Sequence, residues 1–407
     1  MKCRHCGAPL RHRFLDLGFA PPSNAYLSAA DLVRPETYYP LRVLVCGRCW
    51  LVQTEDHARA DALFADDYAY LSSTSRSWLD HARRYTAHAI DVFGLGPRSH
   101  VVEAASNDGY LLRNFVAAGI PCLGIEPTAG TAALAEAQGI PVLREFFGEA
   151  LAHRLVAEGR AADLVVGNNV YAHVPDINDF TRGLATLVKP EGAITLEFPH
   201  LLRLIEGGQF DTIYHEHFSY LSLGVVMRIF TASGLRVWHV EELPTHGGSL
   251  RVYGCRIGAS RPVSPAVETI LSREAEAGLC DLRTYAAFQA RADRIKDDLL
   301  AFLIDQKRAG KRIVAYGAAA KGNTFLNFCG VGNESIAAVY DMNPAKQGKL
   351  TPGTHIPILA PATIGDLRPD YLVILPWNIA DEVRQSMAHV SQWGCRFVTA
   401  IPETRIL

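Results

Sequence analysis

The chain has 407 residues, 49% of them hydrophobic and 20% charged. A single core stops growing at roughly 250 to 300 residues, so two or three domains are expected, each able to bury a core of its own. Lys+Arg 40 against Asp+Glu 42 gives a formal charge of -2, which disfavours a polyanion partner such as nucleic acid or an acidic membrane surface without excluding it, and the composition lies outside the disordered, collagen-like and disulfide-scaffold classes.

The opening MKCRHCGAPL lacks the apolar core of a signal peptide, and no apolar run reaches the roughly 18 residues that could span a bilayer. A soluble, cytoplasmic protein is the expectation. Cys3/Cys6 and Cys46/Cys49 form two C-x-x-C pairs. A tight turn aims both thiolates of a pair at one metal, and two pairs complete a tetrahedral site, so residues 1–66 read as a structural zinc module. A redox pair or unliganded thiols are the other readings. A closed four-thiolate site has no open position for substrate, so zinc here would hold the fold and do no chemistry.

From Trp78 the sequence WLDHARRYTAHAIDVF spaces Leu79, Ala82, Thr86, Ala89 and Phe93 as a helix. Short apolar runs then alternate with helical stretches, at 100–105, 122–127, 141–146, 162–169 and 193–199, which predicts a parallel sheet with crossover helices. The runs 235–243 and 249–257, joined by PTHGG, predict an antiparallel hairpin. Residues 67–258 thus have the order of elements of a class I methyltransferase domain, an α/β Rossmann-like fold. A charged helical stretch from about 265 to 310 leads to a second, smaller Rossmann-like unit within 259–407, with strands at 312–317, 337–341 and 371–376.

The first α/β unit opens on Glu103-Ala104-Ala105-Ser106-Asn107-Asp108-Gly109, between a strand and a helix, where a nucleotide-type cofactor sits. It lacks G-x-G-x-x-G, so a cofactor without a pyrophosphate fits better than NAD. Glu126 ends the next strand, where an acid takes ribose hydroxyls, and Asn168 and Asn169 end the fourth strand over the same crevice. Together they suit S-adenosyl-L-methionine; another nucleotide or no cofactor are the alternatives. The densest polar cluster is Tyr214-His215-Glu216-His217-Phe218-Ser219-Tyr220, which offers bases, proton donors and oxyanion stabilisers. A metal site lacks the H-E-x-x-H spacing, and a plain surface loop is the other reading. Tyr316-Gly317-Ala318-Ala319-Ala320-Lys321-Gly322-Asn323-Thr324 is again a strand, a turn and a helix start. Its backbone N–H groups with Lys321 suit a phosphate, although Lys321 precedes its glycine and the segment is no P-loop; a tight turn with an exposed lysine is the alternative.

These segments, with NNVYAHV, THGGSLRVYG and the cysteine pairs, resemble the nucleotide-sugar C-methyltransferases in order and over nearly the whole chain. The resemblance implies an N-terminal zinc module, a middle domain that binds S-adenosyl-L-methionine and a C-terminal domain that helps hold a sugar nucleotide, with dTDP favoured. It also implies His217 as general base, Glu216 and Tyr214 beside it, and Tyr68 (or Tyr70) and His173 as further active-site residues. Tyr316, Gly317, Lys321, Asn323, His246 and Arg251 are then expected at the substrate. Leu71 and Ala104 depart mildly from the family pattern. A sugar carbon becomes nucleophilic only after losing a proton next to a carbonyl, so a 4-keto sugar methylated at C3 is the expected reaction. An RNA or DNA methyltransferase with a zinc module and a non-catalytic sugar-nucleotide-binding protein are the rival functions. No nucleic acid and no membrane are expected as partners, and the chain is expected to be a monomer or weak oligomer.

Overall fold

A computed structural model of the chain describes residues 1–57 and 71–407. The N-terminal unit is an antiparallel meander of β1 (His12–Ala20), β2 (Tyr39–Val45) and β3 (Val52–Thr54). In β2 the residues Leu41, Val43 and Val45 are buried while Arg42 is exposed, the two-residue period of a sheet with one covered face. Each cysteine pair lies in a tight turn whose next residue is left-handed, Gly7 at φ 69° and Trp50 at φ 68°. The glycine needed at the first turn is therefore replaced at the second by a tryptophan held in the same conformation.

The middle unit carries β4 (Val101–Ala104), β5 (Cys122–Ile125), β6 (Val142–Leu143), β7 (Ala162–Asn168) and β8 (Val188–Pro199), followed by β9 (Ser219–Tyr220), β10 (Leu235–Leu243) and β11 (Ser249–Arg256). Its sheet has seven strands in the order β10-β11-β8-β7-β4-β5-β6. Strands β4 to β8 are parallel, and the hairpin inserts β11 antiparallel between β8 and β10. This is the class I methyltransferase sheet. The chain order reverses beside β4, which opens a crevice outside the carboxyl ends of β4, β5 and β7. β9 leaves this sheet and pairs antiparallel with β3, as the fourth strand of the N-terminal one.

The C-terminal unit is a six-stranded sheet in the order β14-β13-β12-β15-β16-β17, with β12 (Ile313–Tyr316), β13 (Val339–Tyr340), β14 (Ile358–Leu359), β15 (Tyr371–Ile374), β16 (Arg396–Thr399) and β17 (Arg405–Ile406). Only β17 is antiparallel. The helix Pro265–Glu276 lies beyond residue 258, yet it packs on the middle unit: Val267 and Ile270 share a core with Val226, Ile229 and Val240. Its buried Glu274 accepts from the amides of Leu223 (2.6 Å) and Gly224 (2.9 Å), which satisfies the free N–H groups of the helix Leu223–Ala232. Among the described residues no helix is long and apolar enough to cross a membrane.

One core runs through all three units. Phe14 of β1 stacks on Phe288 (ring centroids 4.7 Å) and meets Tyr285 edge-on (5.7 Å), in the same cluster as Phe210, Ile313 and Phe325. Helix Phe288–Arg308 supplies the apolar face between them, with Phe288, Ala292, Ile295, Leu299 and Leu303 buried at helical spacing. Phe14→Ala removes the aromatic plug of this joint, and chemical denaturation should show a loss of about 3–5 kcal/mol; a loss under about 1 kcal/mol would mean that the units stand independently.

Candidate functional site

The four cysteine sulfurs lie within 4.8 Å of one another, with Cys3–Cys49 and Cys6–Cys46 each 3.5 Å apart. A tetrahedral zinc–thiolate site needs sulfurs about 3.8 Å apart for a Zn–S bond of about 2.3 Å, so the set fits one zinc. Outer-sphere donors are in place: Gln53 Nε2 reaches Cys3 Sγ at 3.3 Å and the Arg48 amide reaches Cys46 Sγ at 3.4 Å. The N-terminal unit is a structural zinc module.

At the carboxyl edge of the middle sheet the loop after β4 is held open by two left-handed residues, Ala105 (φ 58°) and Asn107 (φ 50°). Asn107 donates its amide to Glu126 Oε2 (2.9 Å), and its side-chain oxygen accepts from the Ser72 amide (3.0 Å). Asp108 Oδ2 accepts from the Ser73 amide (3.0 Å). Gly109 is left-handed (φ 78°), which favours glycine, and a Cβ there would also crowd Ile140 Cδ1 (2.3 Å) and Ala135 Cβ (3.1 Å). Glu126 Oε1 also takes the amide of Thr128 at 3.0 Å and the Thr128 hydroxyl, which fixes the carboxylate and leaves one lone pair on Oε2 for a ligand hydroxyl. Around this loop Glu103 Oε2, Ser106 Oγ, Asp108 Oδ1, both amide atoms of Asn168 and Asn169 Oδ1 are buried with no hydrogen-bond partner among the described residues. Buried polar atoms without partners are rare in a folded protein, and this row of acceptors with one amide donor fits the ammonium, hydroxyl and adenine groups of S-adenosyl-L-methionine. Burial, then Glu126 and Asp108, push the Glu103 carboxyl well above the usual range.

The segment after β8 gathers the titratable groups. His217 is buried, and its Nδ1 lies 2.7 Å from the Thr212 carbonyl oxygen. A carbonyl only accepts, so Nδ1 carries the proton and Nε2 keeps its lone pair. Burial, then His173, with smaller contributions from Lys321 and His246, lower its pKa well below 6.5 despite the Thr212 bond. The ring packs against those of Tyr214 (3.9 Å) and His173 (4.5 Å). His173, on the short turn Tyr171–His173 after β7, is itself lowered by burial to about 4. Both imidazoles are neutral at pH 7. Glu216 is buried and accepts from Asn24 Nδ2 at 2.8 Å. Tyr68 and Tyr70 lie outside the described residues.

From the C-terminal unit Lys321 reaches the same place. Its Nζ donates to the His246 carbonyl (3.3 Å) and lies over the Trp377 ring (5.2 Å). His246, left-handed at φ 55°, brings its Nε2 to 3.4 Å from Asn169 Nδ2. Asn169, Lys321 and His246 thus bridge the loop ends of two sheets, and burial lowers the Lys321 ammonium despite the buried Asp211 nearby. Gly317 (φ 91°) lies against Pro376, where a Cβ would meet Cδ at 2.5 Å. Asn323, fully buried, donates to the Ser23 carbonyl (2.7 Å), with Oδ1 unpartnered.

Two residues expected at the substrate are tied into the framework of the sheets. Tyr316 turns its ring into the far core of the C-terminal sheet with Val314, Tyr340 and Leu372, because β12 alternates faces and Ile313 and Ala315 take the near side. Arg251 sits in β11 directly opposite Glu197 and Glu241, bonded to them at 2.9 and 3.1 Å. Burial raises the Glu197 carboxyl, but His81 and Arg251 outweigh it and hold it below the usual range. The residues that the motifs did not reveal are Asn24, Thr54, Asp211, Trp377 and the Glu197–His81 pair. Only Glu241 opposite Arg251 was traceable, from the hairpin register.

Family models match the chain in three parts: a zinc binding domain at residues 3–64, a methyltransferase domain at 78–240 and a C-methyltransferase C-terminal domain at 244–402. Over 406 residues, 100% of this chain and 96% of the relative, it is 34% identical to the C-methyltransferase NovU of Streptomyces niveus. Among solved structures, the 1,6-didemethyltoxoflavin-N1-methyltransferase of Burkholderia thailandensis aligns with TM-score 0.37 and 15% identity over 51% of this chain and 95% of its own. Magnesium protoporphyrin IX methyltransferase from Synechocystis PCC 6803 aligns with TM-score 0.33 and 15% identity over 44% and 78%.

Metal analysis of the purified protein should return one zinc per chain, lost in Cys49→Ser; a metal-free wild type would contradict the thiolate site. A cation favours ionised Glu103, whose carboxyl is raised in the free protein. Binding of S-adenosyl-L-methionine should therefore release a proton and tighten as pH rises towards the free Glu103 pKa. Calorimetry in buffers of different ionisation enthalpy should show that release in wild type and not in Glu103→Gln; equal release in both would exclude Glu103.

Proposed function

The chain belongs to the S-adenosyl-L-methionine-dependent C-methyltransferases, and from that premise we propose that it methylates a nucleotide-linked 4-keto-deoxysugar at C3, with a dTDP-sugar as the favoured substrate. The observation that carries this reading is the tautomer of His217. Its Nδ1–H is spent on Thr212, so an unprotonated Nε2 is available in a buried site. C-alkylation of a sugar needs such a base, because C3 must lose a proton before it can attack.

In this reading Nε2 of His217 takes the C3 proton, the electron pair of that bond forms the C3–C4 double bond, and the carbonyl π pair moves onto the 4-keto oxygen. Tyr214, Tyr68 and His173 are proposed as the hydrogen-bond donors to the developing enolate oxygen. S-adenosyl-L-methionine, held by Glu103, Ser106, Asn107, Asp108, Gly109, Glu126, Asn168 and Asn169, supplies the electrophilic methyl group when bound. Re-formation of the ketone would direct the enolate pair from C3 to the methyl carbon while the S–CH3 bond pair stays on the departing sulfur, and His217 gives its proton to solvent. Lys321, with His246, Gly317 and Asn323, is proposed at the diphosphate side: burial disfavours its charge in the free protein, and a diphosphate would restore it. That anion would also raise the low pKa of His217 towards the working pH, where a base is most effective. The reaction is mainly one of alignment, so two loop-bearing sheet edges facing each other account for the architecture.

A positioned base is worth about 10² to 10⁴ in rate. His217→Asn should bind S-adenosyl-L-methionine like wild type yet lose turnover by that factor. Without the methyl donor, wild type should wash solvent deuterium into C3 of a dTDP-4-keto-deoxysugar and the variant should not. Undiminished exchange in His217→Asn would remove it as the base.

A further inference from the structure

The strand that carries the end of the histidine cluster is paired with the zinc module. β9 pairs with β3 through Val52 opposite Tyr220 and Gln53 opposite Ser219. Beyond the ladder, Thr54 donates its amide to the Phe218 carbonyl (3.2 Å) and its hydroxyl to the His217 carbonyl (3.2 Å). Arg4, from within the first cysteine turn, donates Nε to the same Phe218 carbonyl (3.3 Å) and lies over the Phe218 ring (5.0 Å). Gln53, fully buried, ties this strand to the metal site: Nε2 reaches Cys3 Sγ at 3.3 Å and Oε1 accepts the Arg4 amide at 2.9 Å. On the other side of His217, Asn24 reaches the Glu216 carboxylate at 2.8 Å. Its neighbours fasten the same segment to the C-terminal unit, Ser23 through Asn323 Nδ2 and Tyr26 through the Ala318 carbonyl.

We infer that Asn24 and Thr54 of the zinc module are positioning residues of the active site: Asn24 holds the Glu216 carboxylate and Thr54 holds the backbone carbonyl of His217, so the base keeps its aim only while the four-cysteine unit is folded. The contacts differ from ordinary packing between units. They are directional polar bonds, converging from strand β3, the first cysteine turn and a loop of the module on residues 216–220. A two-residue strand such as β9 cannot hold its own register, and an isolated two-stranded pairing is marginal; its geometry is imposed by β3. A displacement of about 1 Å in a catalytic group costs about 10²-fold in rate, so loss of either hold is expected to act on turnover rather than on cofactor binding.

This inference rests on the reading of His217 as the base, and the experiment separates the two. Full-length Asn24→Ala and Thr54→Val are compared with wild type in three measurements: methylation kinetics on a dTDP-4-keto-deoxysugar, S-adenosyl-L-methionine affinity by calorimetry, and hydrogen exchange of the peptide spanning residues 214–222. Each variant should lower kcat by about 10- to 100-fold while S-adenosyl-L-methionine affinity stays within about twofold, and exchange in 214–222 should quicken. Wild type stripped of zinc by a chelator should show the same faster exchange in that peptide while the peptides of β4 and β7 stay protected. Unchanged exchange in 214–222 in both variants and after chelation would overturn the inference, as would variants with wild-type kcat. If wild type itself leaves the sugar nucleotide untouched, the proposed substrate falls, and the exchange and calorimetric data still decide whether the module holds the segment.

Discussion

A buried imidazole can serve as a base only if something decides which nitrogen keeps the lone pair, and here the Thr212 carbonyl does so at 2.7 Å from His217 Nδ1. The bond is local, five residues back along the chain, and it exists because the short turn Phe210–Thr212 points that carbonyl inward. Phe210 and Ile213 anchor the turn in the core shared by all three units. The proposed chemistry therefore depends on packing far from any substrate: the β1 aromatic Phe14, the long helix Phe288–Arg308 and the C-terminal Phe325 fill the same core.

The electrostatics of the site are arranged in two zones. Around the loop after β4 stand Glu103, Asp108 and Glu126, close enough to raise the first of them. Around His217 stand His173, His246 and Lys321, each disfavouring a further positive charge. A cationic methyl donor suits the first zone, and the proposed anionic sugar nucleotide suits the second. The near-zero charge of the whole chain conceals this separation, which is what a site for two oppositely charged ligands requires.

Much of this was legible in the sequence, and the reasons for what was not are physical. The middle sheet and its hairpin follow from apolar periodicity, and the cofactor loop follows from strand ends, because both depend on local pattern. The four-cysteine site followed from spacing alone. The β3–β9 pairing had no local signature: two residues, Ser219 and Tyr220, become a strand only because a distant chain segment pairs with them. Asn24 and Asp211 were invisible for the same reason, since a lone polar residue gains meaning only from what it meets. The core packing of the Tyr316 ring follows from the alternation of Ile313, Val314, Ala315 and Tyr316 between two cores. Arg251 likewise finds its charge matched across the hairpin by Glu241 and Glu197.

The central claim is that His217 stands as a neutral Nδ1–H imidazole with a free Nε2. Nitrogen-15 NMR of the histidine-labelled protein, assigned with a His217→Asn sample, reads that state directly. The account predicts at pH 7 a neutral ring with the proton on Nδ1 and no titration of His217 near its ordinary 6.5 in the free protein. A ring protonated on both nitrogens, or one carrying its single proton on Nε2, would contradict it.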